Sequence, residues 1–406
     1  MIENNNIKNA REQFPSLQRK IKSKNLIFFD GPGGSQVPDN VINAVSEYYR
    51  NSNANSHGQF ITATETDQVI NLARKNIAAF LGADSSNTIS IGQNMTTLNY
   101  ALSVAMGRLF EAGDEIVITQ LDHEANRGPW LSLQERGIVV RESVILPGGI
   151  LDYDDFRQKI NNRTKLVAVG WASNALGTVN DIELIRKITN EANAWLLIDA
   201  VHYAPHFPID VQQVDVDFLL CSGYKFYGPH LGFLYSKPGL LDQLPTNRLR
   251  TQEQEAPYLI ETGTLNHAAI AGINATFDFI SSFGQGNSMA DRLNSGMLAI
   301  NEHEQALGRY LYHEISKLDK YSIIGPSFDD GPRAPTVSFV HTRLNPTEIC
   351  KKLAEKGITA WDGHFYAIRT IEVLGLYETG GVTRIGISMY NSKEDVDYLL
   401  ECLKNI

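Results

Sequence analysis

An aspartate and a lysine each follow a predicted buried strand. Asp199 ends the apolar run AWLLID (194–199), and Lys225 comes just after the next run, VDFLLCS (216–222). In an open α/β sheet, ligands bind beyond the carboxyl ends of the strands, so adjacent strands can direct both side chains into one pocket. A single aspartate or lysine at a strand end is more often a capping or solvated residue, but the pair predicts a carboxylate and an amine that act together.

Polar residues also follow three other predicted strands. After NTISI (87–91), the segment GQNMTT predicts a helix that opens at Leu98 and offers backbone N–H groups and a hydroxyl to an anion. Five consecutive strand ends therefore carry polar groups. Of the three strands in this group, the other two are EIVIT (115–119), which Asp122 and His123 follow, and KLVAVG (165–170), which Ser173 and Asn174 follow.

This combination of groups predicts a pyridoxal 5'-phosphate (PLP) site. A lysine amine condenses with the cofactor's aldehyde, and a carboxylate keeps the pyridine nitrogen protonated, so that the ring can absorb electrons. An imidazole or aromatic ring covers the face of the cofactor, and the N–H groups at a helix start bind its phosphate. We therefore expect Lys225 to hold the cofactor as a Schiff base beside Asp199.

The elements that position these residues are predicted from hydrophobic periodicity. Between about residues 25 and 280, short apolar runs alternate with amphipathic segments of 3.6-residue period, which predicts a parallel sheet covered by helices. Such apolar runs suit strands that are buried on both faces. The helical periodicity is carried by Val41, Ala44, Val45 and Tyr48, by Val69, Leu72, Ala73, Ile77 and Phe80, and by the segment after Asp181.

A second region begins with a long, mostly helical segment from about Asn266. Beyond it, APTVSFVH (334–341) predicts a strand, a helix is expected near 347–356, and an amphipathic helix ends the sequence. These elements predict a smaller α+β domain. A chain of 406 residues has room for two or three domains, because a single core rarely grows beyond roughly 250–300 residues.

Composition and charge exclude several classes of function. Hydrophobic residues make up 43% of the chain and charged residues 20%, as in ordinary globular proteins. The net charge is −10 and no run of Lys or Arg can track a phosphate backbone, so nucleic acid is not an expected partner. The absence of a signal peptide and of a long apolar run predicts a cytoplasmic protein with no membrane partner. Cys221, Cys350 and Cys402 are too few and too scattered for a disulfide framework or a zinc site, so we expect reduced thiols and no metal.

Several longer motifs resemble one family of enzymes. WLLIDAVHYAPH, followed by DFLLCSGYKFYGPHLGFLYSK, is similar to the core of the fold-type I, class V aminotransferase-like enzymes, and specifically to their cysteine desulfurase and selenocysteine lyase branch. Further similar segments are FFDGPGGSQVP, LDHEANRGPW, ASNALGTVN, ETGTLNHAA and TRIGISMYNSKEDVDYL. The resemblance covers almost the whole chain.

The resemblance implies the α/β fold of the fold-type I PLP-dependent transferases. A large PLP-binding domain is expected over residues 25–285, with a mostly parallel seven-stranded sheet between helices. A small C-terminal α+β domain is expected over residues 286–406. The N-terminal segment, 1–24, is expected to pack on the small domain.

The resemblance also implies roles around the cofactor ring. Lys225 matches the Schiff-base lysine, which then moves protons at the substrate Cα. Asp199 matches the partner of the pyridine nitrogen, and His123 the imidazole stacked on the ring. His202 occupies a position where relatives often have glutamine beside the cofactor's phenolic oxygen. A histidine can also hydrogen-bond that oxygen, and which of its nitrogens carries the proton stays open.

The phosphate is expected at the start of the predicted helix. Met95 and Thr96 fall in the phosphate cup, and Ser222 supplies a hydroxyl. Tyr224 stands where desulfurases commonly place histidine, and its hydroxyl can donate as well. Thr264, in ETGTLN, matches a residue that reaches the phosphate of the neighbouring subunit, which implies a homodimer with shared sites.

The substrate implied by the resemblance is an amino acid. Arg384 matches the arginine that grips the α-carboxylate as a bidentate fork, a geometry that lysine cannot copy. Asn174 is expected to assist it, and Gly31 and His57 to line the same pocket. The alternative for Arg384 is a surface ion pair, which the matching context TRIGISMYN disfavours.

One segment departs from the desulfurase pattern. These enzymes use a loop cysteine that accepts the substrate sulfur as a persulfide, but the matching segment here, WDGHFYA, has Tyr366 at that position. A phenol cannot hold a persulfide. The residues Trp361, His364, Phe365 and Tyr366 are expected either to form a substrate lid, with His364 and Tyr366 facing the substrate, or only to pack the small domain.

Three functions therefore stay open on the sequence alone. The leading hypothesis is a PLP-dependent lyase that cleaves a C–S or related Cβ bond without a cysteine persulfide. An aminotransferase or amino-acid epimerase is the alternative, because the same Lys225 and Asp199 serve those reactions. A PLP-binding regulator is disfavoured, because the substrate grip at Arg384 is retained and no interaction module is appended.

Overall fold

A computed structural model describes residues 5–21 and 24–406. The α-helices of these residues are α1 Asn5–Ala10, α2 Asp39–Glu47, α3 Ile61–Leu81, α4 Met95–Gly107, α5 Gly128–Leu131, α6 Tyr153–Lys159, α7 Ile182–Glu191, α8 His267–Ser281, α9 Met289–Ser316, α10 Pro346–Glu355, α11 Ile368–Val373 and α12 Lys393–Lys404. The strands are β1 Lys20–Ile21, β2 Lys24–Asn25, β3 Ile27–Phe28, β4 Ile89–Gly92, β5 Glu115–Thr119, β6 Val139–Ser143, β7 Thr164–Gly170, β8 Trp195–Asp199, β9 Phe218–Ser222, β10 Gly232–Ser236, β11 Tyr321–Ile324, β12 Thr336–His341, β13 Ile358–Thr359, β14 Trp361–Gly363 and β15 Val382–Gly386.

The largest sheet in the described part of the chain has seven strands, in the order β4-β10-β9-β8-β7-β5-β6. Strands β9, β8, β7, β5 and β6 run parallel, and β10 is antiparallel to both of its neighbours. Successive residues of β8 face opposite sides: Leu196 and Ile198 join one hydrophobic cluster, and Leu197 joins another. Burial on both faces explains why these strands are apolar throughout. The predicted mostly parallel, seven-stranded sheet is confirmed.

A second, four-stranded antiparallel sheet has the order β11-β12-β15-β14. It has its own hydrophobic cluster, in which Phe339 and Ile385 from the sheet meet Leu353 of α10 and Leu399 of α12. This confirms the expected small C-terminal α+β region. The predicted domain limits at residues 24 and 285 stay predictions.

The N-terminal segment contacts both regions. The Phe14 ring packs edge-on against Phe279 of α8 and against Tyr390 after β15. Arg11 forms an ion pair with Asp395 at the start of α12. The prediction that residues 1–24 pack on the small domain also includes residues 1–4 and 22–23, which lie outside the described residues.

Most predicted elements are found within a few residues of their expected limits. The apolar runs match β4, β5, β7, β8 and β9, and the helices expected near 347–356 and at the end of the sequence are α10 and α12. The helix expected to open at Leu98 instead begins at Met95, because the Asn94 side chain accepts the N–H of Thr97 and caps the helix earlier. No helix among the described residues is long and apolar enough to cross a membrane.

Candidate active site

A pocket lies at the carboxyl ends of β5, β7, β8 and β9. The strand register brings these ends together, because Asp199 lies opposite Gly170 of β7 and Leu220 of β9. Nine of the residues predicted for the site line this pocket: Met95, Thr96, His123, Asn174, Asp199, His202, Ser222, Tyr224 and Lys225.

Lys225 lies in the short connection between β9 and β10. These two strands form a hairpin, and Gly223 N donates to Leu231 O at 2.9 Å across its base. The lysine Nζ donates to the carbonyl oxygen of Pro32. Burial, and then the positive charge of Arg384, lower the pKa of Lys225 to about 7. A substantial fraction of this amine is therefore neutral near pH 7, as attack on an aldehyde requires.

Asp199 is buried at the end of β8. Its Oδ1 accepts a hydrogen bond from Val201 N at 2.9 Å. Burial raises the pKa of Asp199 to about 7, with a further increase from nearby Asp122 and an opposing effect from Lys225. A cationic ring nitrogen beside this carboxyl would favour its ionised form. The ionised carboxylate of Asp199, as a hydrogen-bond acceptor, thus fits the pyridinium end of PLP.

His123 presents a neutral imidazole to the pocket. Its Nδ1 accepts a hydrogen bond from Ala125 N at 2.9 Å, so the proton of the neutral ring lies on Nε2. Burial, followed by the charges of Lys225 and Arg384, lowers the pKa of His123 to about 4. A neutral, oriented ring suits stacking on the cofactor.

The phosphate end of the pocket is the N-terminus of α4. The first N–H groups of a helix have no partner within the helix and attract anions. Met95 N and Thr96 lie here, and Met95 N donates to the Ser222 hydroxyl at 3.3 Å. The Tyr224 ring is stacked on His230, with centroids 4.5 Å apart and planes 3° apart. This end of the pocket fits the phosphate of PLP.

The predicted substrate end is built around Arg384 on β15. Arg384 is buried, its Nη1 donates to the carbonyl oxygen of Asn174 at 2.9 Å, and its Nε is buried without a hydrogen-bond partner. Burial lowers the pKa of Arg384 to about 9, and Asp30 opposes this. The structure therefore does not place Arg384 in a surface ion pair. A buried guanidinium with an unused donor is suited to bind a carboxylate.

Residues 364–366, which we call the strap, cover Arg384. The Phe365 ring lies over the guanidinium, 3.9 Å from Cζ to the ring centroid. Asn174 Nδ2 donates to Phe365 O at 2.8 Å, and Glu124 N donates to Tyr366 O at 2.7 Å. Phe365 and Tyr366 both have left-handed backbones, with φ of 53° and 59°, a conformation that is unfavourable for bulky residues. The strap is thus held in place by contacts with the residues predicted to bind substrate.

Tyr366 and His364 differ from the deeper pocket residues in exposure. Tyr366 is 67% exposed, and its ring centroid lies 5.6 Å from that of His123. His364 Nδ1 accepts from Tyr366 N at 3.1 Å, and its ring is parallel to that of Tyr377. Water therefore reaches the strap, whereas Asp199 is buried.

Six of the predicted site residues do not line this pocket in the described part of the chain: Arg384, His364 and Tyr366, whose positions are given above, and Gly31, His57 and Thr264. Gly31 is buried beside it, where Ser388 Oγ occupies the space that a Cβ would need. His57 is exposed and lies 3.7 Å from Asp67. Thr264 is exposed in a separate surface hollow, beside residues such as His267. The expectation that His57 and Thr264 serve a site stays a prediction.

Asp122 and Asn180 also line the pocket, although neither was assigned a role in the predicted site. Asp122 is buried, and its carboxylate accepts hydrogen bonds from Thr119 N at 2.9 Å and from Gly170 N, which joins the ends of β5 and β7. Asn180 donates to Gly170 O at 2.7 Å and has a buried, unpartnered Oδ1. The position of Asp122 directly after a predicted strand was a usable signal. Asn180 ends the segment ASNALGTVN, which resembles the family, but no local pattern gave it a role.

Comparison with known proteins now identifies the family. Residues 27–399 match the family model described as aminotransferase class-V. The chain belongs to this family. It is 30% identical over 416 residues to a cysteine desulfurase from Serratia proteamaculans (strain 568), covering 98% of both chains. It is also 30% identical over 413 residues to a probable cysteine desulfurase from Synechocystis sp., covering 97% of this chain and 94% of the other.

Solved structures give the same result. The apo structure of a cysteine desulfurase from Thermococcus onnurineus NA1 superimposes with a TM-score of 0.87 at 27% identity, covering 98% of this chain and 97% of that one. The cysteine desulfurase CsdA from Escherichia coli gives a TM-score of 0.85 at 25% identity, covering 98% of each. This class V aminotransferase is therefore a PLP-dependent enzyme with a cysteine desulfurase-like fold.

Proposed function

We propose that this enzyme is a lyase that releases the substituent at Cβ of an amino acid, of the C–S or a related type, without a cysteine persulfide. The observation that carries the proposal is the strap. The sequence resemblance implies that the strap replaces the loop that carries the cysteine in desulfurases. Within the strap, the ring centroid of Tyr366 lies 5.6 Å from that of His123. Family membership supports the rest of the proposal.

The cysteines of the chain support a reaction without a persulfide. Cys221, Cys350 and Cys402 are all buried, and no cysteine lines the pocket as it is described by residues 5–21 and 24–406. Burial raises the pKa of Cys221 far above its ordinary value and that of Cys350 to about 12. A thiol attacks as its thiolate, so these side chains are poor nucleophiles at neutral pH.

Four residues have assigned roles in the proposed reaction: Lys225, Asp199, Arg384 and Asn174. The bound cofactor supplies an electron-withdrawing ring that stabilises negative charge at the substrate Cα. Lys225 would hold the cofactor until the substrate's amino group replaces it there, and its freed amine would then take the Cα proton. Asp199 would hold the proton of the pyridine nitrogen. Arg384 and Asn174 bind the α-carboxylate, which requires Phe365 to give up its contacts with both. The bond from Cβ to the leaving group then breaks with its electron pair, and the leaving group takes a proton at the water-accessible strap.

Replacing all three cysteines tests this proposal. We expect Cys221→Ala, Cys350→Ala and Cys402→Ala together to keep turnover within about threefold, because no step uses a thiol. Substrates are found by screening cysteine conjugates for released thiol, with assays for keto acid and for inverted amino acid on the same samples. A persulfide on any cysteine during turnover, with activity lost on its replacement, would overturn the proposal.

The matched control is Lys225→Ala in the unaltered cysteine background. Borohydride reduction followed by tryptic mapping should place a pyridoxyl group on Lys225 in the triple variant and none at that position in the control. Keto acid that retains the substituent at Cβ, or inverted amino acid, formed without thiol release, would instead favour the aminotransferase or epimerase.

We further propose a homodimer in which Thr264 completes the partner's phosphate site. Its exposure, outside the pocket of its own chain, supports this arrangement. Light scattering should give the mass of a dimer, and Thr264→Val should weaken PLP binding by about tenfold, the value of one hydrogen bond to a charged group. A monodisperse monomer that binds PLP fully and turns over substrate would contradict the proposal.

A further inference from the structure

A buried carboxylate lies behind the pocket, midway along α9. Glu304 is completely buried, and its Oε2 lies 2.7 Å from Nδ1 of His206. The Tyr227 hydroxyl donates to the other oxygen, Oε1, at 3.3 Å. Among the ion pairs of the described residues, Glu304 is paired with His206 and with no lysine or arginine. A buried carboxylate requires such donors, so the His206 proton lies on Nδ1, facing Glu304.

Helix α9 also fixes the backbone of His206. Asn301, one turn before Glu304, donates from Nδ2 to His206 O at 2.7 Å. His206 lies at the end of the turn that follows β8. Its ring packs edge-on against that of His202, with centroids 5.2 Å apart and planes at 81°. The orientation of one imidazole therefore restricts the other.

His202 lines the pocket, so a restriction on the orientation of its ring acts at the predicted cofactor site. Its Nε2 lies 3.1 Å from the Thr336 hydroxyl oxygen of β12, and its Nδ1 is buried without a hydrogen-bond partner. An oxygen acceptor at Nδ1 selects the tautomer with its proton there, and the Thr336 hydroxyl then donates to Nε2. His202 thus has one nitrogen committed to the scaffold and one available to a ligand.

We propose that Glu304 is a positioning residue for the cofactor site, which acts through His206 to hold the His202 imidazole with Nδ1 toward the pocket. The inference rests on the proposed place of His202 beside the cofactor's phenolic oxygen. Glu304 does not itself touch the cofactor or the substrate. Glu304 orients the His206 ring, which packs against the His202 ring, and His202 is the residue proposed to contact the cofactor.

The titratable groups that face His202 come from three elements. His206 lies on its own turn, Arg384 on β15, and Lys225 after β9. Burial, followed by these groups in that order, lowers the pKa of His202 well below its ordinary value. A ring held in this environment stays neutral, and a ring free to turn out of it titrates at higher pH.

Glu304→Gln tests the inference, because it keeps the shape of the side chain and removes the carboxylate that holds the His206 proton. In the PLP-loaded enzyme we expect the pH midpoint of the cofactor absorption band to move by about half a unit or more, with cofactor still bound. Tyr227→Phe is the matched control, since it removes the other donor to Glu304 and leaves His206 in place. Its midpoint should stay at the wild-type value. An unmoved midpoint in Glu304→Gln, or an equal shift in both variants, would overturn the inference.

Histidine NMR of the cofactor-free protein separates this inference from the proposed function. In the wild type, His206 should carry its proton on Nδ1 and His202 should stay neutral at a pH well below that at which a free imidazole titrates, whatever reaction the enzyme catalyses. Glu304→Gln should raise the pH at which His202 titrates. If that variant does not fold, the wild-type spectrum decides: a His206 without a proton on Nδ1 would overturn the inference. An expected NMR result together with no lyase activity would refute only the proposed function.

Discussion

The cofactor end and the substrate end of the pocket are built differently. Asp199, Ser222 and the start of α4 follow strands of one buried sheet, and their polar atoms are fixed by backbone groups or by one another. The substrate end depends on a residue from the second sheet, Arg384, and on an exposed strap with left-handed backbone. The cofactor end can hold the same PLP ring in enzymes that catalyse different reactions. Changes at the substrate end can alter which amino acid binds and which of its bonds breaks. In the proposed function, chemistry and specificity are therefore located in separate parts of the fold.

The largest expected effect tests the cofactor end. Asp199→Ala should reduce kcat by about 100- to 1000-fold, because the carboxylate that holds the pyridine proton is lost, while PLP stays bound at the start of α4. Steady-state kinetics and the ratio of cofactor to protein measure the two quantities. Cys221→Ala, a buried neighbour outside the pocket, is the control. If Asp199→Ala lost PLP binding and turnover equally, the result would show that cofactor binding and catalysis do not depend on different residues at the cofactor end.

An intermediate effect is expected at the substrate end. Arg384→Lys keeps the charge but loses the fork, so kcat/KM should fall by about 10- to 100-fold, mainly through KM. Absorbance on titration with an amino acid should show weaker binding, and the spectrum without amino acid should be unchanged. A changed spectrum in the resting enzyme would show that Arg384 acts on the cofactor end as well.

The smallest effect concerns stability without cofactor. Since the folded pKa of Asp199 is raised to about 7, the folded chain binds more protons than the unfolded one between about pH 4 and pH 7, and stability falls as pH rises through this range. Asp199→Asn, which resembles the protonated form, should therefore stabilise the cofactor-free protein at pH 8 by an amount on the order of 4 kcal/mol, and much less at pH 4. Urea unfolding at both pH values measures this. An equal stabilisation by Asp199→Asn at pH 4 and pH 8 would show that the buried charge of Asp199 does not lower the stability of the protein.

The cofactor end was also the part that the sequence predicted best. Runs such as EIVIT are apolar because β5 is buried on both faces, and polar residues at their ends indicated the pocket. Strand β6 was not indicated by periodicity, since Val139 is exposed and the next three residues are only partly buried. Asn180 reaches the pocket through a hydrogen bond to Gly170, which depends on tertiary packing. Glu304 lies 98 positions from His206, and no local pattern links them.

The substrate end was predicted only by family resemblance. Arg384 was assigned from its matching context, and its burial beneath Phe365 depends on the meeting of two distant segments. The left-handed conformations of Phe365 and Tyr366 contradict their local preferences and are imposed by contacts with Asn174 and Glu124. Local rules cannot supply such a conformation, because the surrounding structure determines it.

The hairpin that carries Lys225 has a consequence for the order of folding. Strands β9 and β10 are adjacent in sequence and pair antiparallel, so their contacts need only a short loop to close. The pairing of β10 with β4 joins Gly232 to Gly92, and β8 meets β9 only after a longer connection. Local pairings generally form faster than distant ones. We therefore expect the hairpin with Lys225 to form before Asp199 and the N-terminus of α4 assemble around the lysine. The yellow colour of tightly bound PLP would then appear only at a late stage of folding.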